Sequence, residues 1–208
     1  MNRATRVPPG RSGRMWLRRR LATARRGRDQ LDRKLRILVP ELERHRLLAE
    51  ARADEWAAAC RVAETWLLRA TLLGGEDALS SATTATPVEV DVRWTVTMGV
   101  AYPAEARVVT PATPAAAPVA NAAVPPTAAA FDAALVAGVR SAAADEAVRR
   151  VETEVAVTRR RMRALDKRWL PWLEQSLTAL ELSLEQAEQE EGVRLRLATR
   201  PPARGVEP

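Results

Sequence analysis

A long heptad pattern towards the C-terminal end constrains this chain most. From Asp145 to Arg196, apolar side chains recur at alternating spacings of three and four, which indicates a helix that supercoils against a partner. The first part of this seam consists of Val148, Val151, Val155, Thr158, Met162, Leu165 and Trp169. After Pro171 the seam resumes one residue out of step as Leu173, Leu177, Leu180, Leu184 and Ala187. At 1.5 Å per residue such a helix is roughly 80 Å long, so it needs a partner of similar length.

The N-terminal part of the chain supplies that partner. Its heptad positions are Leu17, Leu21, Ala24, Leu31, Leu35, Leu38 and Leu42, followed less regularly by Ala49, Trp56, Ala63, Trp66, Leu67 and Ala70. We expect a kink or loosened turn at Pro40, because an interior proline removes a helical hydrogen bond. Gly74 and Gly75 are expected to end the helix.

The middle of the chain has a different periodicity. Val88, Val90, Val92, Trp94 and Val96 alternate strictly with polar residues, and this period of two predicts a β-strand. Residues 106–109 could return as a second, shorter strand. Because a lone hairpin is marginally stable in water, we expect it to lie against the helices.

These patterns together predict a mainly α protein. Its fold class is a long antiparallel two-helix coiled coil formed by the N- and C-terminal helices, with a small β-hairpin insert between them. The predicted segments are a basic irregular arm (1–12), the N-terminal coiled-coil helix (13–75), the hairpin insert with an Ala/Pro-rich linker (76–127), the C-terminal coiled-coil helix (128–198) and a flexible tail (199–208).

Charges indicate how the helices align. Residues 14–36 contain ten basic and two acidic side chains, whereas residues 174–191 contain six Glu and no base. Acidic residues of 41–55 would likewise face the bases of 159–168. An antiparallel register that matches these charges places Leu31 beside Leu180, and Pro40 nearly level with Pro171. Charges that flank a coiled-coil seam fix register and direction in this way.

The composition argues against catalysis. The 208 residues include one histidine and one cysteine, so neither a catalytic triad nor an intrachain disulfide is expected. His45 is predicted to be solvated or loosely packed, and Cys60 to be a small packing residue that suits a reducing compartment. No Gly-rich phosphate loop is present, and we expect no cofactor, no metal and no nucleotide bound by the chain itself.

No segment predicts secretion or membrane insertion. The Arg-rich start lacks the apolar core of a signal peptide. The longest uncharged run, 108–131, contains five prolines among mostly alanines, which argues against a spanning helix. The formal net charge of +7 makes nucleic acid or an anionic membrane a partner to consider.

Both helices resemble a known family. Arg160-Arg161, Ala164-Leu165, Leu170-Pro171, the Glu-rich stretch 188–191 and Arg194-Leu195 are similar to the C-terminal helix of the D subunit, the central rotor shaft of V-type and archaeal-type rotary ATPases. The first helix resembles that of the same family at Leu17, Leu21, Ala24, Arg26, Gly27, Leu31 and Lys34. Trp169 and Trp172 stand where the family usually has aliphatic or small polar residues.

The resemblance implies a non-catalytic stalk protein. Its partners would be the A and B subunits of the catalytic hexamer, the F subunit and the membrane-side rotor, and its place the cytoplasm, peripheral to the cell membrane. Rotation of the shaft would couple ATP synthesis or hydrolysis to proton or sodium translocation. The implied bearing or torque contacts are Arg18, Arg19, Arg25, Arg26, Glu190, Glu191, Arg194 and Arg196.

Two other classes fit the heptads. A stand-alone coiled-coil adaptor would share the seam, but it gives no reason for the resemblance at both ends. A basic nucleic-acid-binding coiled coil would bind DNA with a steep salt dependence. We expect no nucleic-acid partner, because much of the basic N-terminal helix has glutamate opposite it in the predicted register.

The predicted pairing can be tested through molecular size. A compact protein of this length has a radius of gyration of about 17 Å. If the two helices pair along their length, small-angle X-ray scattering should give a much larger value and an elongated distance distribution. A radius close to the compact value would contradict the long coiled coil.

Overall fold

A computed structural model describes residues 7–80, 87–109 and 121–199. Its elements, in chain order, are helix α1 (Gly10–Ser80), strands β1 (Glu89–Thr97) and β2 (Val100–Val109), helix α2 (Val124–Ala164), a π-helical turn (Leu165–Trp169) and helix α3 (Leu170–Ala198). The predicted fold class is therefore confirmed: long helices from both ends of the chain pack together, with a two-stranded antiparallel hairpin between them in sequence. Residues 1–6 of the predicted arm, the Ala/Pro-rich linker at 110–120 and the tail from residue 200 lie outside the described residues.

The chain forms two compact units. Residues 1–33 with 159–208 make the terminal unit, and residues 34–158 make the hairpin unit. Each unit contains part of α1 and part of the C-terminal helical segment, and β1 and β2 belong to the hairpin unit.

Local chemistry sets the ends of the helices. At Gly75 the backbone adopts a left-handed φ of 64°, which glycine tolerates without steric cost. The helix was expected to end here, but α1 is only kinked at Gly75 and continues to Ser80. Pro40 keeps helical backbone angles, so α1 continues without interruption through the position where a kink or loosened turn was expected. Helix α2 begins at Val124, because Asn121 Oδ1 accepts the Ala123 backbone N–H at 2.9 Å and prolines fit the first helical turn.

The hairpin is longer than predicted. Strand β2 begins at Val100 rather than at residue 106, and it pairs with the whole of β1. Met98 and Gly99 both have positive φ, 51° and 78°, as a tight two-residue hairpin turn requires. Pro103 is accommodated beside a bulge at Ala104, where the register shifts opposite Arg93 and Trp94.

Burial follows the predicted seam. The buried positions on α1 are Leu17, Leu21, Ala24, Leu35, Leu38, Leu42, Ala49, Ala63 and Ala70, and those on the C-terminal segment include Val151, Val155, Thr158 and Leu173. Two predicted seam positions face solvent instead: Trp56 is 46% exposed and Ala187 is exposed.

The one-residue offset in the seam coincides with the π-helical turn. The Leu170 backbone N–H donates to the Leu165 carbonyl oxygen, five residues back, so this turn contains one more residue than an α-helical turn. Pro171 follows at once and has no N–H to donate. The widened turn returns Leu173 to the buried side, where it is fully buried.

The predicted register is wrong by about ten residues. In the terminal unit, Arg18 pairs with Glu181 at 2.6 Å. Leu180 accordingly packs against the buried cluster of Leu17, Leu21, Ala24 and Leu173, and not beside Leu31. Pro171 lies between Asp166 and Glu174, whose partners are Arg28 and Arg25, so the predicted shared level with Pro40 is also wrong.

His45 is buried, contrary to the prediction of a solvated or loosely packed side chain. It is 5% exposed, and its ring meets the Tyr102 ring edge-on with 4.7 Å between the centroids. Nε2 has no hydrogen-bond partner among the described residues and lies 3.9 Å from Glu41 Oε2. Burial, assisted by Arg44, lowers the pKa of His45 below its ordinary value, against the opposite effect of Glu41.

This burial predicts that acid destabilises the hairpin unit. The folded protein holds a proton on His45 less readily than the unfolded chain, so the stabilising contribution of neutral His45 is complete above pH of about 6.5 and declines as the pH falls through the lowered pKa. His45 is the single histidine, so its ring C–H signals give an unambiguous NMR titration, which should have a midpoint below 6.5. In His45→Gln the decline of stability between pH 7 and pH 5 should be smaller, and an ordinary midpoint in the native chain would contradict the burial.

Candidate functional site

The predicted site residues all belong to the terminal unit, which is organised around an apolar cluster. Leu17, Leu21 and Ala24 of α1 are buried against Leu173 of α3. Trp16, Trp169 and Trp172 are among the partly buried residues around this cluster, and the last two stack with their ring centroids 5.1 Å apart. The two tryptophans that depart from the family pattern therefore add apolar contact to the helix pair.

Three ion pairs flank the cluster at intervals of one heptad. Arg11, Arg18 and Arg25 pair with Glu188, Glu181 and Glu174 at 3.0, 2.6 and 2.9 Å respectively. We call this set the ion-pair ladder. Its side chains are partly or largely exposed, so each pair contributes only about 0.2–1 kcal/mol. Because both helices carry the same seven-residue spacing, the pairs form together only in this register.

The four predicted arginines of α1 divide into two kinds. Arg18 and Arg25 belong to the ladder, and each donates to a carboxylate of α3. Arg19 and Arg26 are exposed, and within the described residues neither has a side-chain ion pair. Arg18 and Arg25 thus hold the two helices together, whereas Arg19 and Arg26 remain available to a partner.

The other four predicted residues lie at the end of α3. Glu190, Glu191, Arg194 and Arg196 are exposed, and Arg196 Nε donates to the Gly192 carbonyl oxygen at 3.1 Å. The structure does not bring them next to the α1 arginines, since residue 190 follows Glu181 by nine positions, or about 14 Å of helix.

The end of α3 carries apolar as well as charged surface. Val193, Leu195 and Leu197 are 48%, 61% and 63% exposed. Helix α1 begins at Gly10, and the ladder pair nearest to this end joins Arg11 to Glu188. In the described part of the chain, residues 189–198 therefore continue as an unpaired helix. We call this segment the free helix end.

Sequence reasoning missed an unneutralised basic segment. Arg159, Arg160, Arg161, Arg163, Lys167 and Arg168 are all exposed. Of the acids expected to face them, Glu41 pairs with Arg44 and Glu55 with Arg52, both within α1. Asp166, the one acid among them, pairs with Arg28 at 3.3 Å, and this contact raises the pKa of the Arg28 guanidinium. The signal that would have given the correct register is the shared seven-residue spacing of the ladder arginines on α1 and the ladder glutamates on α3.

The charged groups of the described residues do not make a metal site. Over residues 7–80, 87–109 and 121–199, no group of three or more His, Cys, Asp or Glu side chains is placed to hold a metal ion. None of the helices in these ranges contains a stretch apolar enough to cross a membrane.

Comparison with known families decides the identity. The family model that describes the D subunit of ATP synthase matches residues 15–200. The chain belongs to the ATP synthase D-subunit family. The resemblance found in both helices is confirmed, and the protein is a stalk component of a rotary ATPase that works with other subunits of that complex. No individual curated protein gave a significant match to the chain.

A charge exchange tests whether the ladder sets the register. Glu181→Arg replaces an attraction to Arg18 with a repulsion, so the free energy of unfolding in urea should fall by about 0.5–1 kcal/mol. Adding Arg18→Glu should restore most of the loss, and high salt should shrink both effects. Glu190→Arg, which alters a carboxylate outside the ladder, serves as the control. A double variant no more stable than the less stable single variant would show that these two residues do not meet.

Proposed function

We propose that this chain is the non-catalytic shaft of the central stalk. As a shaft it turns inside a hexamer of A and B subunits and couples ATP synthesis or hydrolysis there to proton or sodium translocation at the membrane. The family match supports the stalk assignment, and the observation that carries the finer role is the free helix end beyond a tightly registered helix pair. By this proposal the protein lies in the cytoplasm, peripheral to the cell membrane.

The free helix end suits a seat in the pore of the hexamer. Val193, Leu195 and Leu197 are exposed in the isolated chain. Their burial inside an apolar sleeve would stabilise the complex by roughly 25 cal/mol for each Å² of apolar surface removed from water. Arg194 and Arg196, interleaved with them, would contact polar groups or carboxylates of the sleeve. A long helix that ends in one segment without a helical neighbour among the described residues presents such a tip on a stiff support.

The ladder supports the transmission of torque. A shaft that turns against resistance must not let its helices slide past each other, and three heptad-spaced ion pairs oppose such a slide together with the buried leucines. Arg19 and Arg26 beside the ladder would act as bearing contacts with the surrounding subunits. Their exposure and lack of a partner within the described residues support that role.

The hairpin supports a second contact region, for the F subunit and the membrane-side rotor. The apolar face of β1 is about half exposed: Val90, Trp94 and Val96 are 46%, 49% and 66% accessible, and the Arg150 guanidinium of α2 lies 4.7 Å from the centroid of the Trp94 ring. Such a patch marks an interaction surface. We infer that the F subunit covers this face.

The basic segment of 159–168 favours a second candidate function. Its six exposed cations have no carboxylate partner in the described part of the chain and could hold a polyanion such as DNA. A coiled coil that acts on nucleic acid would depend on this surface, whereas a shaft would not depend on it alone.

A reconstitution assay with two salt conditions separates the two functions. Purified A, B and F homologues should retain the chain at both about 50 and about 200 mM salt, because apolar and shape contacts hold a seated shaft. Binding to a DNA duplex through several phosphates should weaken by orders of magnitude over that range. The chain alone should not hydrolyse ATP. Retention on DNA but not on the hexamer would overturn the shaft assignment.

A paired variant locates the seat. Leu195→Asp with Leu197→Asp should weaken retention by the A and B subunits at least about tenfold, because two charges would enter an apolar sleeve. Leu182→Asp, at a position on the same helix that is 54% exposed, is the matched control and should bind as the native chain does. Circular dichroism should show equal helicity in all three proteins. Equal retention of the paired variant and the control would place the seat elsewhere.

A further inference from the structure

The hairpin unit contains a cavity of about 600 Å³ between β2 and the helices α1 and α2. Its α2 wall is built from small side chains, Ala143, Ala144 and Ala147, which cannot fill the space beneath the hairpin. Neither the seam nor the proposed shaft role requires an opening at this place.

Three arginines from two helices line this cavity. Arg44 and Arg52 of α1 and Arg140 of α2 all line it. The one carboxylate in the wall, Glu105, is held by Arg93 at 3.0 Å and Arg107 at 2.8 Å, and these contacts lower its pKa. Glu105 is therefore already neutralised by cations of the hairpin, and among the described residues Arg140 is the lining arginine whose charge no carboxylate balances.

Two of the arginines are held in place by their own helix. Arg44 donates to Glu41 through both Nε and a terminal nitrogen, at 3.1 and 2.6 Å. Arg52 donates to Glu55 at 2.6 Å. A guanidinium has five N–H donors, so each keeps donors for a ligand. Among the described residues Arg140 has no side-chain ion pair at all.

A buried polar group without a partner completes the wall. His45 lines the cavity, and its Nε2 is a buried atom that lacks a hydrogen bond within the described residues. The Tyr102 hydroxyl, beside it, is fixed by a hydrogen bond of 2.9 Å with Thr97. Nε2 is itself buried and lies 3.9 Å from Glu41 Oε2, so the His45 ring forms part of the wall and the three guanidinium groups supply the donors to a ligand.

We propose that this cavity binds a diphosphate group, either free or carried by a nucleotide. Guanidinium forks match phosphate oxygens in geometry and charge. Arg44 and Arg52 are eight residues apart, or about 12 Å along the helix, so two linked phosphates span them better than one. The missing Gly-rich loop excludes a loop-type nucleotide site, but a cradle of arginine side chains does not need that loop.

The test uses the isolated full-length chain, so it does not depend on the proposed shaft function. Isothermal titration with pyrophosphate and with ADP should show one site, with binding of orthophosphate at least about tenfold weaker. Arg140→Gln should weaken pyrophosphate binding roughly tenfold through the loss of charged hydrogen bonds. Arg61→Gln removes an equal charge from an exposed position of α1 outside the cavity and outside the basic segment, and it is the matched control. The exposed position of Arg140 leaves the fold intact, which a thermal melt can verify.

Each outcome has a defined meaning. Equal affinity for pyrophosphate and ADP supports a diphosphate alone as sufficient, and tighter binding of ADP supports a nucleotide as the source. A shift of the His45 ring signals on addition of pyrophosphate places the ligand in the cavity. The proposal is overturned if orthophosphate binds as tightly as pyrophosphate, if the two arginine variants bind equally, or if neither diphosphate binds.

Discussion

The apolar seam between helices from the two ends of the chain is the interaction on which everything else depends. A fully buried leucine such as Leu17 or Leu38 stabilises the folded state by about 1.5–3 kcal/mol relative to an exposed one. An isolated helix as long as α1 would gain little from its own backbone, since helices in water are held chiefly by packing of an apolar face. The ladder, the hairpin and the free helix end are all placed by this seam.

The seam could be predicted from the sequence because heptad spacing is a local property of each helix. The one-residue offset of the seam near Pro171 was predicted as well. The structure shows that a π-helical turn, which ends at Trp169, produces this offset. Register was harder to predict. A seam that alternates between spacings of three and four looks almost the same after a shift of seven, and nearly so after a further three, so an error of about ten residues leaves leucines opposite leucines. Only the spacing of the charges distinguishes these alternatives.

The hairpin shows the limit of alternation as a guide. A period of two identifies a strand but does not say which face packs. Here Val96 is exposed and Trp94 is half-exposed beneath Arg150, while Tyr102 of β2 is buried. The bulge at Ala104 and the late start predicted for β2 explain why this face could not be assigned. The burial of His45 follows from the same contact, since Tyr102 covers it, and no local pattern in α1 revealed that.

The two units use different seam residues, and this has a consequence for function. The terminal unit packs mainly leucines, whereas the hairpin unit adds many alanines to its leucines and valines, including Ala144 and Ala147 beside the cavity. An alanine buries less apolar area than a leucine, so each contributes less to stability, and space is left beside the helices. The hairpin covers part of that space with Tyr102 and leaves the arginine-lined cavity in the rest. A rigid helix pair with leucines suits torque, whereas a seam of small residues under a hairpin leaves room for a ligand to bind.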